Sequence, residues 1–93
     1  MYEIITTKHF EKDLKRLYKT GKDLTELKET MKILSQSKSF DKKYRLHKLK
    51  GTYGNIMEYH LAGDWLVLYR IDEKTNSIIF IRTGTHVQVG LFK

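Results

Sequence analysis

Hydrophobic residues in the first half of the chain recur at helical spacing. A β-branched and aromatic segment at residues 2–6 first predicts a short strand. Apolar side chains then return every three or four positions over residues 10–18, which predicts an amphipathic helix that starts after Thr6 or Thr7 and stops at Gly21. We expect the other face of this helix to be polar and to carry Lys12, Asp13, Lys15, Arg16 and Lys19.

A second helical segment follows directly. Asp23 and Glu26 have the spacing of a capping box, and apolar residues continue at helical spacing from Leu24 to about Ser37. Only a few residues around Gly21 join this segment to the first one. The two segments therefore predict a helical hairpin.

The hydrophobic period shortens to two in the second half of the chain. Residues 53–60, 65–71 and 78–83 each predict a strand, and turn-forming residues at 62–64 and 72–77 separate them. Strands with such short connections form an antiparallel meander. The whole chain predicts an α+β fold of order β-α-α-β-β-β, with the helical hairpin packed on an antiparallel sheet.

Length and composition narrow the class of protein. The 93 residues predict a single domain over residues 1–93, and 40% hydrophobic residues are sufficient for its core. The longest apolar run, residues 65–69, is too short to cross a bilayer, and the first residues lack the features of a signal peptide. Because the chain also has no cysteine, we expect a cytoplasmic protein without a membrane partner.

Positive charge is concentrated in the first half. Lys and Arg number 18 against 11 Asp and Glu, and residues 1–50 hold 14 of the basic residues against 7 of the acidic ones. This surplus favours a negatively charged partner such as nucleic acid. The densest basic segment fits a solvated loop and a strip that contacts phosphate groups equally well; it contains Lys38, Lys42, Lys43, Arg45, Lys48 and Lys50.

Residues with useful side-chain chemistry are predicted to meet at one edge of the sheet. In the meander, the end of the first strand, the start of the second and the end of the third lie side by side. His47 is predicted at the opposite end, and it reaches this edge only if residues 41–52 fold back along the sheet. The residues placed together are His60, Asp64, Trp65, Arg82 and His86.

Two imidazoles and a guanidinium are sufficient to cut RNA without a metal ion. One imidazole removes the proton of the ribose 2′-hydroxyl, the other protonates the leaving 5′-oxygen, and the guanidinium binds the phosphate. The histidines lack the HxxxH and HExxH patterns, which disfavours a zinc site. Each residue also has a structural interpretation: surface hydrogen bonding for His60 and His86, the sheet edge for Arg82, a turn for Asp64, and the core for Trp65 and Phe92.

Four segments of the second half resemble the YafQ-type branch of the RelE/ParE toxin superfamily. They are residues 47–51 (HKLKG), 58–61 (EYHL), 64–69 (DWLVLY) and 82–86 (RTGTH). The combination of Asp-Trp before an apolar strand with Arg-Thr-Gly-Thr-His after the next strand is the most specific part. By element order, the resemblance covers the whole chain.

The resemblance implies the toxin of a type II toxin–antitoxin system, a ribosome-dependent endoribonuclease that cuts translating mRNA. The implied partners are a cognate antitoxin, mRNA and the 70S ribosome, with operator DNA bound only through the antitoxin complex; no cofactor and no metal are implied. The implied catalytic residues are His47, His60, Asp64, Arg82 and His86. Trp65 and Phe92 would shape the site, and the residues implied to bind RNA are Lys42, Lys43, Arg45, Lys48 and Lys50.

A non-enzymatic binding protein on the same scaffold is the alternative, either a ParE-like gyrase inhibitor or an RNA-binding module. The fold alone does not separate these functions. The set of His60, Arg82 and His86 favours the enzyme, because a binding module has no need for converging imidazoles.

Overall fold

The computed structural model describes residues 1–36, 40–49 and 55–90. The strands are β1 (Glu3–Thr6), β2 (His47–Lys48), β3 (Met57–His60), β4 (Trp65–Asp72) and β5 (Ser77–Thr85). The helices are α1 (Lys8–Lys19), α2 (Thr25–Ser35) and α3 (His86–Gly90), and a 3₁₀ turn spans Lys42–Tyr44. The predicted α+β fold is confirmed, with β2 and α3 as additional elements.

The sheet has five strands in the order β1-β5-β4-β3-β2. The meander β3-β4-β5 is antiparallel as predicted, and β2 extends it by pairing antiparallel with β3. In contrast, β1 runs parallel to β5, so the sheet is mixed rather than fully antiparallel. Hydrophobic alternation is the same for both strand directions, which is why the sequence did not reveal the orientation of β1.

The first helix is capped as its sequence suggests, but its polar face is smaller than predicted. The Thr7 side chain is the N-cap and accepts a hydrogen bond from the backbone N–H of Phe10. Asp13, which we assigned to the polar face, is only 2% exposed. Its carboxylate is buried because donors from β5 and from α1 itself surround it.

The second helix begins later than the sequence predicts. Leu24 occupies the N-cap position without a side-chain cap, and the helix starts at Thr25. The Asp23 carboxylate accepts a hydrogen bond from the backbone N–H of Thr25, so it forms a local turn before the helix in place of a capping box. The predicted end near Ser37 lies outside the described residues.

The main hydrophobic core lies between the helical hairpin and one face of the sheet. Phe10 and Leu27 from the helices pack there with Tyr59 and Phe80 from the strands, all fully buried. Each such side chain contributes about 1.5–3 kcal/mol through burial. The Tyr59 hydroxyl lies 2.7 Å from the Thr30 hydroxyl, which satisfies both groups inside the core. Because Tyr59 faces the helices, its neighbours on β3 face the other side of the sheet.

The opposite face of the sheet is covered in part by α3. Leu66 and Leu68 of β4 are fully buried on this side, and Val89 of α3 is buried as well. The five residues of α3 are too few to show a helical period, so the sequence did not predict this element. Within the described residues, no helix combines the length and apolar character that a membrane span needs.

Candidate active site

Pairing of β2 with β3 brings His47 to His60. In this register His47 lies opposite Glu58. Its Nε2 is 3.1 Å from Glu58 Oε1 and 3.5 Å from His60 Nε2, and the two imidazole rings stack with centroids 5.6 Å apart. The chain before β3 therefore folds back along the sheet, which is the condition under which His47 reaches the other histidines.

His60 has an environment that keeps its imidazole neutral. It is 9% exposed at the end of β3. Burial lowers the pKa of His60 from its usual value, and the positive charge of Arg45 lowers it further, whereas the Glu58 carboxylate acts in the opposite direction. The balance leaves His60 as a proton acceptor at neutral pH.

His86 forms a pair with a carboxylate of its own. It is the first residue of α3, and its Nδ1 contacts the Asp64 carboxylate in the turn between β3 and β4. The hydrogen bond with His86 lowers the pKa of Asp64, so this carboxylate is ionised at neutral pH. Both side chains are about half exposed. The His86 and His60 ring centroids are 6.3 Å apart, which places two imidazoles with different surroundings at one edge of the sheet.

Arg82 is connected to this edge through α3. Its Nη2 donates to the backbone carbonyl of Gln88, two residues after His86. Its Nε and Nη2 also donate to the buried carboxylate of Asp13, at 2.8 and 3.2 Å. These hydrogen bonds connect Arg82 to α3, the helix that begins with His86, and to α1 through Asp13.

The side chain of Trp65, expected to shape the site, is buried at the start of β4. It is 5% exposed, its indole N–H donates to Thr83 Oγ1 at 2.8 Å, and Lys22 Nζ lies 4.8 Å from the ring centroid. These contacts hold together the ends of β4 and β5 that flank Asp64 and His86. Phe92, the other aromatic residue expected to shape the site, lies outside the described residues.

Basic side chains adjoin the His47 side of the cluster. The described ones are exposed and lie on the 3₁₀ turn, on β2 and on the residue after the turn, which adopts a left-handed conformation at φ 49°. A groove of about 190 Å³ connects one of them, Lys43, to His60 and is also lined by Tyr44 and Leu61, among others. Lys38 and Lys50 lie outside the described residues. The exposed basic residues are Lys42, Lys43, Arg45 and Lys48.

Two acidic residues in these networks were absent from the predicted set. Glu58 is 2% exposed and lies between two imidazoles, and Asp13 holds Arg82. Glu58 stands two positions before His60, which places both on one face of the strand. Asp13 stands three positions after Phe10, within the apolar stripe of α1. A charged residue at such a position is the sequence pattern that identifies a buried carboxylate.

The same cluster has the composition of a metal site. The ligand atoms of His47, Glu58 and His60 all lie within 4.8 Å of one another, and two imidazoles with one carboxylate suit a transition metal ion. The ligands come from two paired strands, so the sequence spacing that argued against zinc does not apply to them. An ion held here would bind the Nε2 atoms of His47 and His60, which both face the Glu58 carboxylate.

Gly84 provides the close packing that positions α3. Its φ is +148°, and a Cβ built there would lie 2.6 Å from Gln88 Oε1 and 3.0 Å from Arg16 Nη2. Gln88 Oε1 in turn accepts from the backbone N–H of Thr85, directly before His86. A glycine at this position therefore lets the end of β5 approach the helix that carries His86.

Replacement of Gly84 by alanine should destabilise the fold by about 1–3 kcal/mol, since the backbone is strained for an L-residue and the methyl group displaces Gln88. Denaturant unfolding measures the change. Gly21→Ala is the matched control, because Gly21 also has a positive φ of +81° but its Cβ would meet no atom within 4 Å. Equal losses for the two variants would contradict a packing role for Gly84.

Comparisons with known proteins agree with this geometry. Residues 2–91 match the family model described as a bacterial toxin of type II toxin–antitoxin systems, YafQ. The chain belongs to the YafQ toxin family. The mRNA interferase toxin YafQ of Escherichia coli strain K12 is 32% identical over 78 residues, which cover 83% of each chain. The resemblance seen in the sequence is thereby confirmed, and the chain is a toxin of a type II toxin–antitoxin system.

Solved structures of bacterial toxins share the fold. A metal-bound toxin from Helicobacter pylori superposes with a TM-score of 0.90 at 37% identity, covering 96% of this chain and 99% of that one. The YafQ chain of the Escherichia coli DinJ–YafQ complex gives a TM-score of 0.85 at 28% identity, covering 96% and 98%. The helical hairpin on a mixed sheet is therefore the architecture of this YafQ toxin as well.

Proposed function

We propose that this YafQ toxin is an mRNA interferase that cuts mRNA during translation on the ribosome. The observation that carries the proposal is the arrangement of two neighbouring imidazoles in different surroundings, one buried and one exposed. His60 is buried beside Glu58, whereas His86 is exposed and paired with Asp64, with 6.3 Å between the ring centroids. A base and an acid on either side of a phosphodiester are what cleavage by the ribose 2′-hydroxyl requires.

His60 acts as the general base. Its Nε2 lies 3.6 Å from Glu58 Oε1, so the carboxylate favours a proton on this nitrogen and leaves the lone pair on Nδ1. That lone pair takes the proton from the ribose 2′-hydroxyl, and the oxygen then attacks the neighbouring phosphorus. The lowered pKa of His60 keeps the lone pair available at neutral pH.

His86 acts as the general acid. Asp64 holds its Nδ1, which fixes the ring and leaves Nε2 to donate a proton to the departing 5′-oxygen. The phosphorus–oxygen bond to the 5′-oxygen breaks as the bond to the 2′-oxygen forms. The products are a 2′,3′-cyclic phosphate and a 5′-hydroxyl. Arg82 neutralises the negative charge that builds up on the phosphoryl oxygens in between.

The partners proposed for this activity follow from the names of the relatives. The curated Escherichia coli relatives are named mRNA interferases, and the DinJ–YafQ complex contains that toxin with another protein. We assign a cognate antitoxin, translating mRNA and the 70S ribosome to this chain, and operator DNA only through the antitoxin complex. Action on the ribosome places the toxin in the cytoplasm.

The exposed basic strip beside His47 is expected to bind RNA phosphates. Charge reversal of Lys43 should weaken association with programmed ribosomes and lower the slope of log K against log salt by about 0.7, the value for one phosphate contact on a single strand. Titration of labelled protein at several salt concentrations measures the slope. Lys74→Glu is the matched control, since this exposed lysine lies in the turn between β4 and β5. An unchanged slope for Lys43→Glu would identify the strip as solvated surface.

Cell-free translation tests the proposed function. Added protein should stop protein synthesis, and the mRNA recovered from the reaction should be cut within its coding region. Addition of the cognate antitoxin should restore protein synthesis and leave the mRNA intact. Arrest of synthesis with intact mRNA would contradict the proposal. DNA supercoiling by gyrase would then be assayed, because a gyrase inhibitor on this scaffold leaves mRNA uncut.

A further inference from the structure

The Asp13 carboxylate is the point where α1 meets the end of β5. It is 2% exposed, yet it lies on a surface helix. Oδ2 accepts from Arg82 Nε at 2.8 Å and from the backbone N–H of Thr83 at 3.0 Å. Oδ1 accepts from Arg82 Nη2 at 3.2 Å and from Arg16 Nη1 at 3.1 Å. Four donors thus converge on one buried carboxylate.

The contact with Arg82 has a defined geometry. Nε and Nη2 present two parallel donors to the two carboxylate oxygens, which fixes the plane of the guanidinium as well as its position. Nη2 uses a further proton for the Gln88 carbonyl on α3. Nη1 has no hydrogen bond to any residue in the part of the chain that the structure describes. The Nη1 group is therefore available to donate a hydrogen bond to an oxygen of the substrate phosphate.

A buried ion pair of this kind is a weak source of stability. The free energy lost when the two charges leave water is about as large as the free energy gained from their attraction. Apolar side chains of similar size would stabilise the fold as well. An arginine that must bind phosphate has a different requirement, because its long side chain has many rotamers and only some of them reach the site. A fixed carboxylate behind the guanidinium removes that freedom.

We propose that Asp13 is a positioning residue for RNA cleavage, which holds the Arg82 guanidinium in the orientation that binds the substrate phosphate. Asp13 itself does not touch the reacting atoms. The proposal rests on the proposed function, because it assigns a role in that reaction. It adds α1 to the elements that build the site.

Cleavage kinetics on programmed ribosomes test the proposal. Under single-turnover conditions, Asp13→Asn should lower the maximal cleavage rate by ~10- to 10²-fold, while the protein concentration at half-maximal rate stays within about twofold. In an Arg82→Ala background, Asp13→Asn should cause no further loss, since Asp13 acts through Arg82. Arg16→Gln is the matched control: it removes another partner of Asp13 but leaves the Arg82 fork in place.

A measurement on the free protein separates positioning from activity. The Arg82 Nε–H proton should exchange slowly with water in NMR spectra of the wild type and of Arg16→Gln, and rapidly in Asp13→Asn. Slow exchange in Asp13→Asn, or a cleavage rate equal to that of the wild type, overturns the proposal.

If Asp13→Asn does not fold, Arg82→Lys examines the same contact from the other side, because lysine keeps the charge but lacks the planar fork. The proposal predicts the same loss of rate for Arg82→Lys, and a full rate overturns the proposal.

A wild-type protein that cuts no mRNA would overturn the proposed function together with this role of Asp13. A slow Arg82→Ala beside a normal Asp13→Asn would overturn the role of Asp13 alone.

Discussion

Replacement of His86 by alanine is expected to lower the rate of mRNA cleavage by about 10²- to 10⁴-fold, the contribution of a general acid. The fold should be preserved, because His86 is 54% exposed and its side chain pairs with the exposed Asp64. The maximal single-turnover rate on programmed ribosomes measures the effect. Because the loss lies in proton transfer, the affinity for the ribosome should stay at the wild-type level.

Val87→Ala is the control for this substitution. Val87 is the next residue of α3 and is 85% exposed, so its truncation changes the same short helix without touching a proton-transfer group. Asp64→Asn should cause a smaller loss than His86→Ala, since it removes only the group that orients the imidazole. A normal cleavage rate for His86→Ala would remove this residue from the mechanism.

Replacement of His60 by glutamine should also lower the maximal rate by about 10²- to 10⁴-fold, because glutamine keeps the shape and hydrogen bonding but accepts no proton. His47→Gln removes the neighbouring imidazole, whose side chain is 49% exposed. The loss of rate should be smaller, because His47 contacts His60 but is not itself the general base. Equal losses for the two variants would contradict the assignment of the base to His60.

The pH profile identifies the base independently. The neutral imidazole of His60 is the active form, so the rate should fall as the pH drops through the pKa of His60, which lies below its usual value of 6.5. Arg45→Gln removes a positive charge that lowers the pKa, so this acidic limb should move to higher pH. Glu58→Gln removes a negative charge that raises the pKa and should move the limb to lower pH. Identical limbs in the three proteins would exclude His60 as the titrating group.

Much of the fold follows from local patterns in the sequence. The change from helical to alternating spacing predicted the helical hairpin and the three strands of the meander, and Thr7 and Gly21 bracket α1 as expected. The direction of β1 and the pairing of β2 depend on contacts between distant segments, which no local pattern encodes. A two-residue strand such as His47–Lys48 has no period to detect.

The sequence predicted the part of the site that is formed by neighbouring strand ends in the meander. The topology placed His60, Asp64 and His86 at one edge, and the structure brings them into one cluster. Asp13 and Glu58 were missed because their charge suggested a solvated position, whereas the structure buries both against cationic or imidazole partners. The position of Asp13 in the apolar stripe of α1 marks a buried carboxylate, but its partners come from another segment and follow only from the tertiary structure.

The most direct test maps the 5′ ends of mRNA from a cell-free translation reaction. The reaction is run with the wild-type protein and with His86→Ala, each with ribosomes and without them. We predict new 5′ ends within the coding region only where ribosomes and an intact His86 are both present, and these ends should carry a 5′-hydroxyl. Intact mRNA in the presence of folded wild-type protein, or the same cuts with His86→Ala, would contradict cleavage by this pair of imidazoles.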